Sequence, residues 1–390
     1  MKIVGLQTNF VTVPFEKAEV WAWGRRPGIS AMLIELHTDE GMVGCGECVL
    51  THSSFEIMQL IAESAKRFVI GETPFNVEKI ARDFYGLTGW HFQKIVANHV
   101  FAGIEIALWD LIGKSSGKPL YQLLGGGYRD AMTYSVYITR DKPEVMSKEA
   151  QKYLELGYTT FDVKLGIDPK NDIEIVGTVR DAIGSDAELR VDANQMWSPG
   201  RALRNIKKLE RYDLQYVEQP VPATDLNSMA MLRKRTAVPI AADESASTLQ
   251  DVHNIIAREA ADVILLDARK MGGLLACKKA AAAAEAAERP VVMHTSGELG
   301  VAATAFAHVV VSTPNFIMGN QCLYQYLTDD ILPAKLTIER NRLRLSDSPG
   351  LGVTPDMSKV SRYSHMYAQG GVLSHYEPLS EGRVPVSGSW

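Results

Sequence analysis

The pattern of hydrophobic and polar positions changes near residue 130. Before it, β-favouring segments such as "AMLIELHTDEGMVGCGE" (31–47), with turn residues at 39–41, predict a hairpin. Two helical stretches follow, near 56–70 and 93–116, and the second carries apolar residues at helical spacing. These features predict an α+β unit.

From about residue 131, short apolar strands alternate with amphipathic helices at intervals of roughly 25 to 30 residues, which favours a (β/α)₈ barrel. The eight predicted strands are "MTYSVYI", "TTFDVKL", "ELRVDAN", "LQYVEQP", "PIAADES", "DVILLDA", "PVVMHT" and "NFIMGN". A doubly wound open sheet is the alternative, but it usually begins with a Gly-rich first turn, which this sequence lacks.

Beyond about residue 325 the repeat ends, and "RLRLSDSPGLGV" predicts a strand followed by a Pro/Gly-rich turn. We expect this segment to return to the first unit. The predicted fold is therefore an α/β protein with three parts. They are an N-terminal α+β capping domain with lid loops (1–125), a barrel that carries the active site (126–325), and a C-terminal segment packed back on the capping domain (326–390).

Composition agrees with a soluble protein that has a large hydrophobic core. The chain has 390 residues, 46% of them hydrophobic, and a net charge of -5, which gives no reason to expect a nucleic-acid partner. Cys45 and Cys48 form a CxxC, but no second pair completes a zinc site. The start shows no secretory pattern and no run suggests a membrane span, so we expect a cytoplasmic protein.

Six successive predicted strands end on residues that can do chemistry, at nearly equal steps. Because active sites of this fold open at the C-terminal ends of the strands, we expect these side chains to converge. They are Lys164, Asp192, Glu218, Asp243, Asp267 and His294.

Three of these residues are carboxylates on neighbouring strands: Asp192, Glu218 and Asp243. Without a cation they would repel one another, and an all-oxygen set suits a hard ion such as Mg²⁺. Glu244 is the alternative third ligand.

The next two strands end on Asp267 and His294, a pair in which the carboxylate can fix the imidazole tautomer. Lys164 is expected across the barrel mouth from His294, with the metal between them. Such a site can abstract the proton next to a substrate carboxylate while the metal stabilises the enediolate that forms.

The sequence resembles the enolase superfamily, within it the mandelate racemase and glucarate dehydratase branches. The resemblance covers essentially the whole chain. It is carried by "GIEIALWDLIGKSSGKPLYQLLGG", "VDAN", "VEQP", "ADES", "DARKMGG" and "MHTSGELGVAATAFAHVVVSTP", in that order. It implies a modified barrel under a capping domain, a Mg²⁺ ion and a small-molecule carboxylate substrate. We also expect a homo-oligomer.

Two positions bear on the branch. Members of the muconate-lactonising branch carry a lysine where this chain has Asp267, so that branch is disfavoured. An Asp–His pair with a second-strand lysine resembles the acid-sugar dehydratases and the racemases.

Relatives usually show Lys-x-Lys on the second strand, whereas this chain has Asp162 before Lys164. Asp162 is expected either to form an ion pair with Lys164 or to meet a cationic group of the substrate. The third alternative is that it packs below the site.

The lid is expected in "VWAWGRRPGIS" (20–30), where Trp23, Arg25 and Arg26 could contact a substrate and glycines could act as hinges. His52 is a second, weaker lid candidate. Further substrate-binding candidates are Asn194 and Glu298.

The leading functional hypothesis is a Mg²⁺-dependent dehydratase of an acid sugar or related hydroxy-acid. A racemase or epimerase that uses Lys164 and His294 on opposite faces is the alternative. The remaining alternatives are a non-catalytic anion-binding relative and a phosphate-binding barrel, although "IMGNQC" lacks a Gly-rich phosphate loop.

Overall fold

The computed structural model describes residues 1–49, 54–92 and 94–379. The N-terminal part contains an antiparallel sheet with strand order β1-β2-β3. Its strands are β1 (Ile3–Trp21), β2 (Gly24–Thr38) and β3 (Val43–Val49). The predicted hairpin turn joins β2 to β3 and is confirmed by their antiparallel pairing.

Three helices accompany this sheet: α1 (Phe55–Val69), α2 (Val77–Thr88) and α3 (Lys94–Ser116). Helix α3 packs closely on β3, because glycines without side chains lie at the contact between the helix and the strand. A Cβ at Gly46 would lie 1.8 Å from the carbonyl oxygen of Gly103. The predicted helices near 56–70 and 93–116 are therefore present, and the sequence did not reveal α2.

Helix α3 corrects one expectation. Its segment Ile95–Ser116 is long and apolar enough, by length and composition, to cross a membrane. However, 83% of the tested stretch is buried inside the protein, as expected for a core helix. Its Ala and Gly residues, which raise its apolar content, permit the close approach to β3.

Seven parallel strands form the barrel sheet, in the spatial order β11-β10-β9-β8-β7-β6-β5. These strands are β5 (Val136–Ile138), β6 (Thr160–Lys164), β7 (Glu188–Asp192), β8 (Leu214–Glu218), β9 (Ile240–Ala242), β10 (Val263–Leu266) and β11 (Val291–Met293). The helices of this part are α4 (Leu120–Leu123), α5 (Pro143–Glu155), α6 (Pro169–Ile183), α7 (Pro199–Leu209), α8 (Leu226–Arg235), α9 (Leu249–Ala257), α10 (Leu274–Ala286) and α11 (Gly300–Val311).

The predicted count of eight strands needs correction at both ends of the repeat. The first predicted strand is split into β4 (Met132–Thr133) and β5, and "NFIMGN" forms only a parallel bridge between Tyr134 and Asn320. The polar side chain of Asn320 replaces part of a strand ladder here, since its amide bonds to the backbone of Met293 and Thr133. The barrel thus closes through both backbone and side-chain hydrogen bonds of this segment, and the α/β barrel fold itself is confirmed.

The C-terminal segment contains β12 (Ile338–Glu339), β13 (Arg342–Leu343) and α12 (Met357–Gly370). Strand β13 pairs with β4 of the barrel part. Helix α12 packs on β1, where the ring of Tyr367 contacts those of Phe10 and Phe55 at centroid distances of 5.6 and 4.6 Å. The segment therefore joins both parts of the chain.

Buried carboxylates of the N-terminal part bind the first turns of two barrel helices. Glu105 accepts hydrogen bonds from the backbone N–H groups of Leu274 and Leu275 at 2.7 and 3.0 Å. Glu47 accepts from Leu299 and Ala302 at 2.7 and 2.9 Å. The free N–H groups and the partial positive charge of a helix N-terminus favour an anion there. These two contacts fix the N-terminal part over α10 and α11.

His308 provides a test of this packing. Its Nδ1 accepts a hydrogen bond from the Tyr121 N–H at 3.1 Å, and its Nε2 donates to the Leu351 carbonyl at 3.1 Å. The ring must be neutral to do both, and burial lowers the pKa of His308 to about 4. The unfolded chain binds this proton more readily, so stability is lost as pH falls from about 6.5 toward 4.

We predict that the unchanged protein loses about 2 kcal/mol more unfolding free energy between pH 7 and pH 4.5 than His308→Gln does. Glutamine can keep one acceptor and one donor but does not bind a proton in this range. Urea unfolding of both proteins at the two pH values measures this difference. Equal pH dependence of stability in both proteins would contradict the lowered pKa of His308.

Candidate active site

The six predicted strand-end residues come together at one end of the barrel. Lys164, Asp192 and Glu218 are the last residues of β6, β7 and β8. The other three directly follow β9, β10 and β11: Asp243, Asp267 and His294. The parallel direction of the strands places all six ends on the same side, as barrel topology requires.

Two of the predicted metal ligands are already engaged by cations. The Lys164 ammonium forms a short ion pair with Asp192 Oδ2, and the Lys270 ammonium lies 2.6 Å from Asp243 Oδ1. Asp192 Oδ1 accepts from the Asn194 N–H at 2.7 Å. These contacts offset the negative charge of the two carboxylates and hold their side chains at the strand ends.

Glu218 is the least compensated member of the set. Its Oε2 accepts from Gln321 at 2.8 Å, but its buried Oε1 has no hydrogen-bond partner within the described part of the chain. Burial and the neighbouring Asp192 raise the pKa of Glu218 well above its usual range. A cation at this point would offset the repulsion.

The donor set fits a divalent metal ion. Glu218, Asp243 and His294 each offer a ligand atom, all within 4.8 Å of one another. Asp192 lies on the neighbouring strand, paired in register with Glu218. The alternative ligand Glu244 has a pKa well above its usual range because of burial and the nearby Asp243. A predominantly carboxylate site of this kind suits Mg²⁺.

The predicted dyad has its expected partners. His294 Nδ1 lies 3.0 Å from Asp267 Oδ2, and His294 Nε2 lies 3.5 Å from Asp243 Oδ2. Because the ionised Asp267 can only accept, Nδ1 carries the proton in this hydrogen bond. That tautomer leaves Nε2 unprotonated on the side of the ring that faces Asp243.

Arg269 explains why Asp267 stays ionised. The guanidinium group contacts both carboxylate oxygens of Asp267, at 2.9 and 2.6 Å. Burial alone would raise the pKa of Asp267, but Arg269 and His294 together hold it well below its usual range. Arg269 also lies 3.2 Å from Glu298.

A cavity of about 420 Å³ lies above these residues. The barrel contributes Lys164, Asp243, Lys270 and His294 to its lining. The N-terminal part contributes Glu19, Trp21, Trp23 and Arg26, and Tyr376 comes from the C-terminal segment. All three parts of the chain therefore enclose the same space.

The predicted lid segment is an ordered hairpin rather than a loop. It spans the end of β1 and the start of β2, which pair in register at Trp21 and Gly24. Arg26 is 1% exposed, forms an ion pair with Glu19 at 2.5 Å and donates to the Ser296 carbonyl at 2.8 Å. Trp23 donates to the Asn194 carbonyl at 3.3 Å, which connects the hairpin to the end of β7.

The cavity includes some predicted substrate-binding residues and omits others. Trp23, Arg26 and Asn194 line it. Arg25 instead points to solvent and pairs with Glu377 at 3.1 Å. Glu298 is buried beneath the dyad, where it accepts from Thr295 at 2.5 Å. His52 lies outside the described residues.

The predicted ion pair between Asp162 and Lys164 is wrong. Asp162 is one pleat below Lys164, is hydrogen-bonded by Ser135, and does not line the cavity. Its facing cation is Arg190, with Nη1 3.7 Å from Oδ1. Lys164 instead pairs with Asp192, the residue in register with it on the neighbouring strand β7.

Comparison with known proteins agrees with this architecture. Residues 10–125 match the family described as mandelate racemase / muconate lactonizing enzyme, N-terminal domain, and residues 145–359 match the family described as enolase C-terminal domain-like. The chain belongs to the enolase superfamily.

Its relatives in the enolase superfamily differ in the reactions that their names give. An N-succinyl-L-Arg/Lys racemase from Bacillus cereus is 29% identical over 90% of this chain and 95% of its own. Its crystal structure gives a TM-score of 0.87 at 29% identity, covering 93% of this chain and 98% of that one. A cis-3-hydroxy-L-proline dehydratase from Roseibium aggregatum is 31% identical over 93% of this chain and 100% of its own.

A third relative was crystallised with metal and ligand. The structure of a dipeptide epimerase from Enterococcus faecalis, complexed with Mg and the dipeptide L-Leu-L-Tyr, gives a TM-score of 0.84. It is 29% identical, covering 91% of this chain and 100% of that one. Membership of the superfamily, expected from the motifs, is thus confirmed.

Sequence reasoning missed several residues of this enolase-superfamily site. Lys270 and Arg269 lie in the quoted "DARKMGG", where only Asp267 drew attention. Their proximity in sequence to a predicted catalytic acid was an available signal. Glu19 gave no such signal, because its position over the cavity depends on the pairing of β1 with β2.

The dyad allows a comparison of two substitutions. Asp267→Asn should abolish activity and also destabilise the fold by roughly 3 kcal/mol, because the buried Arg269 would lose its nearer anion and keep only Glu298, at 3.2 Å. His294→Asn should abolish activity with little loss of stability. Melting temperatures and α-proton exchange separate the two effects. Equal melting temperatures for the two variants would contradict this role of Arg269.

Proposed function

We propose that this protein is a Mg²⁺-dependent enzyme that removes the proton α to a substrate carboxylate and then eliminates a β-hydroxyl group as water. The observation that carries the proposal is the placement of two proton carriers, Lys164 and His294, around one set of buried carboxylates and facing one cavity. Asp192, Glu218 and Asp243 would hold the metal. When bound, Mg²⁺ supplies positive charge that stabilises the negative charge developing on the substrate carboxylate.

Lys164 is the proposed base. Burial alone would lower its pKa, but the carboxylates of Asp192 and Glu218 raise it well above its usual range. When Asp192 is released from Lys164, the main interaction that keeps the ammonium charged is lost. The lysine can then accept the α-proton.

His294 is the proposed acid for the departing hydroxyl. Hydroxide is a poor leaving group, so its loss requires a proton donor. Asp267 holds the Nδ1 proton and stabilises the imidazolium, while Nε2 can deliver a proton in the cavity. The enclosing hairpin with Trp21 and Trp23 would exclude water during this step.

Racemisation or epimerisation is the second candidate. It is favoured by the same two proton carriers, which could remove a proton from one face and return it to the other. The names of the Bacillus and Enterococcus relatives support it, whereas the Roseibium dehydratase and an arabinonate dehydratase from Saccharolobus solfataricus support elimination.

The experiment uses two substrate panels in D₂O with Mg²⁺, one of β-hydroxy acids and one of N-acyl amino acids and dipeptides. Mass spectrometry distinguishes loss of water from deuterium gain, and chiral chromatography detects inversion. We expect water loss from members of the first panel. Inversion with deuterium gain and no water loss would establish the second candidate instead. Full turnover by EDTA-treated protein would contradict both.

The metal ligands give a separate prediction. Asp243→Asn should weaken Mg²⁺ binding at least tenfold, whereas Glu244→Gln should change it by less than about threefold, because Asp243 is the one that lies in the ligand cluster with Glu218. Isothermal titration calorimetry measures both. The reverse order would assign Glu244 as the third ligand.

A further inference from the structure

Beneath the proposed metal site, the inner faces of β6 and β7 carry four charged residues in two layers. Asp162 is in register with Arg190, and Lys164 is in register with Asp192. All four side chains are at most 8% exposed. Two buried cross-strand ion pairs are therefore stacked one pleat apart.

The signs of these charges alternate in both directions. Along β6 an anion precedes a cation, and along β7 a cation precedes an anion. Each charge thus has an opposite neighbour across the strands and another along its own strand. In a buried environment such an arrangement strongly reduces the electrostatic cost of each charge.

Both members of the lower pair, Asp162 and Arg190, have further hydrogen-bond partners. Arg190 donates to the Gly319 carbonyl at 2.7 Å and to Gln215 Oε1 at 2.5 Å, and its guanidinium lies 4.8 Å from the ring centre of Tyr216. Asp162 is fixed by a short hydrogen bond from Ser135. Neither residue lines the cavity, so neither contacts a substrate in it.

We propose that Asp162 and Arg190 are positioning residues, whose mutual charge compensation sets the electrostatic balance beneath Lys164 and Asp192 and thereby the affinity of the site for a divalent cation. This inference rests on the proposed function. Without Asp162, the Arg190 cation would act uncompensated on the carboxylate site one pleat above. Without Arg190, the extra anion would act in the opposite direction.

The direction of these effects separates a positioning role from a purely structural one. Asp162→Asn is nearly isosteric and should weaken Mg²⁺ binding about tenfold, as a unit charge at this separation would in a partly screened interior. Arg190→Met keeps length and apolar contact with Tyr216 and should bind Mg²⁺ no more weakly than the unchanged protein. The Mg²⁺ affinity of the double variant Asp162→Asn/Arg190→Met should lie within threefold of that of the unchanged protein.

Calorimetric titration of the full chain with MgCl₂ measures these affinities, and circular dichroism confirms that each variant is folded. The double variant contains no unpaired buried charge, so it keeps the test valid if a single variant folds poorly. Asp110→Asn is the matched control, since it also removes a buried carboxylate from an ion pair, in this case with Lys114, away from the cavity. It should lower the melting temperature and leave the Mg²⁺ affinity unchanged.

Three results would overturn the inference. They are an Asp162→Asn affinity within threefold of the unchanged protein, a double variant as weak as Asp162→Asn, and an equal loss in Asp110→Asn. The proposed function fails separately, if the unchanged protein itself binds no Mg²⁺, and the inference then fails with it.

Discussion

The structure depends on offsetting the negative charge of several buried carboxylates that lie together at one end of the barrel. Asp192, Glu218, Asp243 and Asp267 are all nearly inaccessible to solvent. Burying such charges without partners would cost several kcal/mol each. The chain supplies partners from adjacent positions: Lys164 for Asp192, Lys270 for Asp243 and Arg269 for Asp267. Glu218 is left with a hydrogen bond from Gln321, and the site gains most from a cation there.

The same principle joins the two parts of the protein. Glu105 and Glu47 bind the N-termini of α10 and α11, the helices that follow the strands leading to Asp267 and His294. The elements that carry the dyad are therefore held by the part of the chain that also supplies Trp21, Trp23 and Arg26 to the cavity. Closure of the site and placement of the dyad depend on one set of contacts.

The sequence could predict residues whose role follows from their position on one strand. Lys164, Asp192 and Glu218 each end an apolar run, and barrel topology brings such ends together without further information. Partners across strands were harder to predict. The pairing of Asp162 with Arg190 depends on the register of β6 against β7, which the sequence of neither strand reveals.

Other differences have the same origin. The hairpin at 20–30 looked like a hinged lid because it contains glycines and arginines, but Glu19 neutralises Arg26 across the β1–β2 pair. The eighth strand was expected from an apolar run, whereas Asn320 satisfies the neighbouring backbone with its side chain. In each case a polar contact between residues on different elements decided the outcome.

The most direct test is a crystal structure of the protein with Mn²⁺ in place of Mg²⁺, with the metal located by its anomalous scattering. We predict one strong peak bonded to Asp192, Glu218 and Asp243, with the Lys164 ammonium displaced from Asp192 toward the cavity. A metal bound elsewhere, or a site in which Lys164 keeps its ion pair with Asp192, would contradict the proposed metal site.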